Sequence, residues 1–267
     1  MSAFPAGYES IVLLLSAAAA GVVDAIAGGG GLISIPAFLT AGVPIPLLLG
    51  TNKCMACVGS TVALWRYQRG GLMPRLAPRT WALLIAMSIG FSTIGALVSQ
   101  LPWVLERLRF LIPLLLVSVM AFLVHRWFLA SRGGLRSELN APDAEAVLGP
   151  GATPGTRGWI AAISTYDGLF GPGTGTFFLS MLESRGFSTM TANALTKAFN
   201  VSSNMGALVY FVVQGKVLWA TGLSAAAAYM VGNYVGSGLV LKRGQGLVRI
   251  TVLTMTSLML LRYAWSR

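Results

Sequence analysis

The chain has 267 residues, of which 55% are hydrophobic and only 10% charged, with a mean hydropathy of +0.73 and a formal net charge of +11. That composition is too apolar for a soluble fold of this length. It also excludes a transmembrane β-barrel, which needs segments of about 10 residues alternating apolar and polar, whereas "LLIAMSIGFSTIGALV" is apolar throughout.

Stretches approaching the roughly 20 apolar residues that span a bilayer predict eight main spans, at about 11–27, 51–69, 81–101, 108–130, 157–170, 193–213, 217–240 and 247–264. The first follows "MSAFPAGYES", which carries Glu9 and no Lys or Arg, so a signal peptide is not expected. It ends in "DAIAGGGGLISIP", where Asp24 is followed by Gly28, Gly29, Gly30 and Gly31. The basic residues argue against a nucleic-acid partner by their distribution. Arg66, Arg69, Arg75 and Arg79 share one connection and Arg126, Arg132, Arg136 and Arg157 flank another, as cytoplasmic loops do. Trp65, Trp81, Trp103, Trp127, Trp159, Trp219 and Trp265 stand near span ends, as interfacial anchors do.

The only extended polar stretch, "SRGGLRSELNAPDAEAVLGPGATPGTR", reads as a solvated linker with room for one helical turn in "PDAEAVL". It divides the chain into a first transmembrane repeat (1–130), the linker (131–156) and a second repeat (157–267). The halves echo one another. Asp167 answers Asp24, Gly171 and Gly173 answer Gly28 and Gly30, and Lys197 in "LTK" answers Lys53 in "TNK", at Asp-to-Lys separations of 30 and 29 residues. The expected fold class is therefore an all-α polytopic membrane protein with two homologous halves of about four transmembrane helices each. Broken or re-entrant Gly-rich segments would meet at the repeat interface.

Short, Gly- or Pro-interrupted spans at matching positions of two halves are the sequence mark of a transport site. Backbone that leaves the helix at membrane depth must be buried by protein or face a water-lined cavity. The glycines then offer N–H groups, and the half-helices that start near Leu32 and Thr176 offer positive dipole ends, to an anion. Asp24, Asp167, Lys53 and Lys197 all fall inside the apolar region, where each costs about 2.5 to 3.5 kcal/mol on insertion scales. At helical spacing Lys53, Cys57 and Ser60 share one face and Lys197, Asn200 and Asn204 share another. Bland alternatives stand beside these readings: glycines that only let helices pack closely, lysines that snorkel, and Asp-Lys salt bridges that only stabilise packing.

The segments "DAIAGGGG…P…LGTNK" and "YDGLFGPGTGTF…ALTKAFN…SN" resemble the paired signatures of the sulfite exporter TauE/SafE family of membrane permeases, over nearly the whole chain. The resemblance implies transport of small sulfur-containing anions such as sulfite or organosulfonates. It maps the signature positions onto Asp24, Gly28, Gly30, Thr51, Asn52, Lys53, Asp167, Gly171, Gly173, Gly175, Thr196, Lys197, Asn200 and Asn204. The "CMAC" run of Cys54 and Cys57 lies outside it and reads as two small apolar helix residues. The one histidine, His125, reads as interfacial. No HExxH, GxSxG or GK[ST] occurs, and "TYDG" lacks the second acid after Gly-x-Gly that an intramembrane aspartyl protease needs.

The expected function is a secondary transporter of a small sulfur-containing anion, working by alternating access in a bacterial cytoplasmic membrane, with a proton as the candidate coupling ion. A passive anion channel is the alternative, and an intramembrane enzyme a more distant one. The expected substrate-binding set is Gly28, Gly29, Gly30, Gly31, Thr51, Asn52, Lys53, Gly171, Gly173, Thr174, Gly175, Thr196, Lys197, Asn200 and Asn204. Asp24 and Asp167 are expected to carry protons or gate the site. No cofactor or metal is expected; the partners are the anion and the lipid bilayer, with a homodimer left open. Charge bias does not separate two topologies. If 32–50 and 171–192 are re-entrant, the chain crosses eight times in parallel repeats; if they cross, it crosses ten times in inverted ones.

Overall fold

The computed structural model describes residues 7–107, 114, 118, 121 and 142–243, and all regular structure among them is helical. Besides a helical segment at 102–107, the elements bounded within the described residues are α1 (Tyr8–Ala27), α2 (Gly31–Thr40), α3 (Ile45–Arg69), α4 (Pro78–Ser99), α5 (Ala144–Leu148), α6 (Pro154–Leu169), α7 (Thr174–Ser184), α8 (Thr189–Val213) and α9 (Trp219–Arg243). The spans expected at 108–130 (apart from its three isolated positions) and 247–264 lie outside the described residues, as do His125, Trp127, Trp265, Arg126, Arg132 and Arg136.

Proline and glycine set most of the boundaries. Proline stands in the first turn of α3, α4 and α6, where its missing N–H costs nothing. Gly28, at φ 72°, ends α1 in the left-handed region. Gly171 and Gly173, at φ 97° and 79°, make the matching break between α6 and α7. Among the described residues α1, α3 and α4 are long and apolar enough to cross a membrane. The span expected at 157–170 is α6, only 16 residues long. The span expected at 193–213 is α8, whose buried polar run from Asn193 to Asn204 lowers its hydropathy. Neither 32–50 nor 171–192 is one continuous element. The first comprises α2, a short turn and the first residues of α3; the second comprises the end of the break, α7 and the start of α8.

Helix directions follow from shared contacts. Leu13 and Ala17 of α1 join Phe38, Val43 and Leu48 in one apolar cluster. Ala25, Ile26 and Ala27 at the other end of α1 join Ala63 and Tyr67 of α3 in a second. So α1 and α3 run the same way, and α2 runs back between them. Against α3, α8 is antiparallel: Lys53 donates to Asn204 at 2.9 Å, while Tyr67 lies 3.4 Å from Asn193. α9 lies along α1 and α3, α4 lies along α6 and α8, and α3 meets α8. Small residues permit this closeness. Gly232 and Gly236 of α9 rest on the Ala18 and Val22 carbonyls of α1, and Gly95 of α4 rests on the Thr165 carbonyl of α6.

The described part of the linker, 142–156, is not simply solvated. It does form the expected turn, as α5, capped by Asp143, whose carboxylate accepts the Glu145 N–H at 3.0 Å. Leu148 is 1% exposed because α5 docks on the bundle. Glu145 then accepts the Ala77 N–H at 3.0 Å and the Thr80 hydroxyl, so an acid from the linker caps the first turn of α4. Glu145→Ala is expected to cost about 1 to 2 kcal/mol, the usual worth of a helix cap. Thermal unfolding in detergent checks the stability, and faster protease nicking of the linker would report its release.

Trp65, Trp103, Trp159 and Trp219 are all exposed and stand near helix ends. The Arg69 guanidinium lies 4.3 Å over the Trp65 ring, so charge and aromatic face share one end of α3.

Candidate functional site

The two helix breaks touch. A Cβ on Gly28 would collide with the Gly175 backbone, and one on Gly175 with Gly28, so the chain crosses itself here with no side chain between. Gly31 lies against Pro172 less tightly, a Cβ there coming 3.0 Å from the Pro172 Cα. Bringing both breaks together places Asp24, one turn before the end of α1, and Asp167, near the end of α6, beside the middle of α3 and α8.

The end of α1 is buried and leaves carbonyls that need donors. Tyr67 donates to the Ala25 carbonyl at 2.6 Å, Asn193 to Ala25 and Ile26 at 3.0 and 3.2 Å, and Thr176 to Ala27 at 3.1 Å. The fourth carbonyl, of Asp24, receives the Gly28 N–H at 2.8 Å and the Lys197 ammonium. A cation at a helix C-terminus is also favoured by the helix dipole. Three other helices therefore fix where Asp24 sits.

All four charged residues are buried, Lys53 and Lys197 at 1% and 0% exposure, and they pair crosswise. Lys53 on α3 meets Asp167 on α6 at 2.8 Å, and Lys197 on α8 meets Asp24 on α1 at 3.0 Å. Each acid also takes a serine hydroxyl: Ser60 donates to Asp24 at 2.9 Å and Ser203 to Asp167 at 2.6 Å. Lys53 has a second partner in the Asn204 side-chain oxygen. Neither lysine snorkels. Both sit where an uncompensated charge would cost several kcal/mol, so the pairing sets the geometry.

Between the breaks lies a cavity of about 30 Å³. Of the residues expected from sequence, Asp24, Gly28, Gly31, Asn52, Lys53, Asp167, Gly171, Thr174, Gly175, Asn200 and Asn204 line it. Asn52 accepts the Ser34 hydroxyl at 2.7 Å, and the Asn200 side-chain oxygen has no hydrogen-bond partner. Gly29, Gly30, Thr51, Gly173, Thr196 and Lys197 do not line it. Gly29 packs near Val23 and Leu32, and Gly30 lies under the Tyr229 hydroxyl. Gly173 starts α7, and Thr51 donates to the Leu47 carbonyl and accepts the Leu218 N–H, tying α3 to the start of α9. Thr196 is buried with its hydroxyl unpaired, and Lys197 is held behind Asp24.

Sequence reasoning missed Ala56 and Tyr229 in the lining and Ser203 on Asp167. It placed Ser60 on the Lys53 face without its bond to Asp24. Ser60 follows Asp24 by 36 positions and Ser203 follows Asp167 by 36, a spacing that could have revealed both. Tyr229 left no such trace, because its counterpart in the first half is not aromatic. Cys54 and Cys57 are buried free thiols, with Gly222 packed on Cys54.

The family model described as Sulfite exporter TauE/SafE matches residues 13–263. The Probable membrane transporter protein ORF9 of Sinorhizobium sp is 35% identical over 239 residues, covering 89% of this chain and 85% of that protein. The Probable membrane transporter protein YfcA of Escherichia coli strain K12 is 34% identical over 249 residues, covering 93% and 87%. A Probable membrane transporter protein of Haemophilus influenzae is 31% identical over 242 residues, covering 90% and 88%. No solved structure matches significantly. These names are those of membrane transporters rather than enzymes. With its helix breaks and crosswise charges in place, the chain belongs to the sulfite exporter TauE/SafE family of membrane transporters.

Proposed function

We propose that this protein is a secondary transporter that moves a small sulfur-containing anion across the bacterial cytoplasmic membrane by alternating access. The observation that carries the reading is the crosswise pairing of Lys53 with Asp167 and Lys197 with Asp24 around one small cavity, where the two helix breaks cross. Lys53, Asn52, Thr174, Asn200 and Asn204 are the anion's donors, and the acids hold or release the lysines. The sulfur chemistry rests on the family description and on the sequence resemblance.

The halves act as inverted repeats, with α1 to α4 and α6 to α9 as counterparts. In support, α1, α3 and α9 all run one way, and α4, α6 and α8 the other, as judged by which apolar cluster each end joins. With α2 and α7 each carrying the chain back, and the spans expected from sequence at 108–130 and 247–264 added to the halves, ten passes result. Glu145 bonds the linker to the start of α4, so Arg75 and Arg79 share one face with Arg157 at the start of α6, which the positive-inside tendency assigns to the cytoplasm. Both termini then lie outside. A C-terminal reporter active only in the cytoplasm is expected to stay silent in an expressed fusion; activity would overturn the ten-pass arrangement.

A cavity of about 30 Å³ holds about one or two waters, whereas sulfite has four heavy atoms. Its walls must move to admit substrate, which favours a carrier over a channel. Purified protein in liposomes tests this: saturable countertransport of sulfite, thiosulfate or methanesulfonate is expected. Large anion conductance without countertransport would make it a channel.

A further inference from the structure

The buried charges of the site cancel, two acids against two lysines, and every other residue lining the cavity is neutral. An incoming anion therefore finds no spare cation. It brings a negative charge into a place that does not tolerate one unpaired. One proton taken up per negative charge restores neutrality.

The two ion pairs are not equivalent, and this selects the acid. Lys53 and Asp167 both line the cavity; Lys197 does not, being held by both the carboxylate and the carbonyl of Asp24. Tyr229, 2% exposed, packs on Asp24, which lines the cavity as Asp167 does, the two acids being 5% and 3% exposed. Its ring occupies the notch left by Gly59, its hydroxyl lies over Gly30, and it reaches the Asp24 carboxylate and Ser60. The matching position in the other half holds no tyrosine. Gly236 of α9 rests on the Val22 carbonyl and Gly95 of α4 on the Thr165 carbonyl, each two residues before an acid. Seven residues before these glycines stand Tyr229 and Ser88, and Ser88 is too small to reach as far.

The groups bonded to Asp167 are Lys53 from α3 and Ser203 from α8; the Tyr229 phenol of α9 and the Tyr166 phenol of its own helix, which donates to the Pro172 carbonyl, lie near enough to feel its charge. Asp24 of α1 shares the cavity. α4 and α7 carry one charge each, Arg79 and Glu183, at their remote ends.

Resting on the transport reading above, we propose that the site takes one monovalent oxyanion together with one proton. The proton goes onto the Asp167 carboxylate and frees the Lys53 ammonium for the anion, while the Asp24–Lys197 pair stays clasped under Tyr229. Transport is then electroneutral and selects monoanions, because a second proton, on Asp24, would free only Lys197, which does not line the cavity.

The test uses the full chain in liposomes with methanesulfonate, a monoanion at every working pH, and thiosulfate, a dianion. Methanesulfonate uptake is expected to follow an imposed pH gradient, to ignore a potassium-valinomycin potential, and to bring one proton per anion by an internal pH dye. Its affinity should rise about tenfold per unit fall in pH, as uptake of one proton requires. Thiosulfate should move at least tenfold more slowly. Any methanesulfonate flux that remains in Asp167→Asn should no longer be driven by the pH gradient; should that variant not fold or not transport, the proton count on the wild-type protein decides. If only sulfite moves, the count is made at acid pH, where it is the bisulfite monoanion. Flux that follows the membrane potential, or pH-driven flux in Asp167→Asn, overturns this inference and leaves the transport reading standing. No saturable flux of any of the three anions overturns both.

Discussion

Gly175→Ala is expected to abolish transport and to cost about 3 kcal/mol of stability, the upper range for forcing a methyl group into a packed interior. The added Cβ would meet the Cα and carbonyl oxygen of Gly28 and the Asn200 amide. Two of these three atoms are backbone, so no side chain can swing aside. Relief requires the two helix breaks to part, and with them Asp24 and Asp167 and the lysines they hold. Gly28→Ala should behave at least as badly, since Gly28 also sits at φ 72°. Gly29→Ala is the control. A Cβ there meets only the Val23 and Leu32 side chains, at 3.5 and 3.8 Å, in ordinary contact. Thermal unfolding in detergent and flux in liposomes should separate Gly175→Ala from Gly29→Ala; equal behaviour of the two would mean that the breaks do not touch.

This contrast between adjacent glycines marks how far the sequence could be read. The acid, glycine and lysine cluster in each half is visible as a repeated spacing, and so are both breaks, because glycine is the residue that ends a helix in a left-handed turn. Which glycine does what is not visible, since Gly29 and Gly28 differ only in what lies opposite them. The pairing of charges was similarly hidden. Spacing places Lys53 and Asp24 in the same half but does not say which lysine meets which acid. In the fold each lysine reaches the acid of the other half, because α3 and α8 run antiparallel across the centre. The limits of α3 were hidden for a simpler reason. "IPLLLG" continues the helix from Pro46 in its first turn, but hydropathy alone cannot divide it from α2. Tyr229 is the clearest miss, since a lone aromatic on an apolar helix has the same pattern whether it fills core or covers an acid.

Lys197→Met should be the most destabilising change of a single charge. Removing one partner of a buried ion pair typically costs about 3 to 5 kcal/mol, because the other charge is left unpaired. Here the loss is double, since Lys197 serves both the Asp24 carboxylate and the Asp24 carbonyl at the end of α1. Protonating Asp24 would remove the stranded charge but supply no donor to that carbonyl. In Lys53→Met the position is easier. Asp167 faces the cavity and can take a proton from it, and the freed Asn204 amide can rotate to offer its nitrogen in place of the lost ammonium. Lys53→Met is therefore expected to cost less than Lys197→Met while abolishing substrate binding. The double change Asp24→Asn with Lys197→Met should recover part of the lost stability, because that pair's charges are gone and the amide oxygen introduced by Asp24→Asn still accepts from Ser60, while the carbonyl at the end of α1 keeps only the Gly28 N–H. Unfolding midpoints of the three variants in detergent check the order. If Lys53→Met proves the less stable of the single variants, the covered pair is not the structural clasp, and the roles of the two ion pairs are reversed.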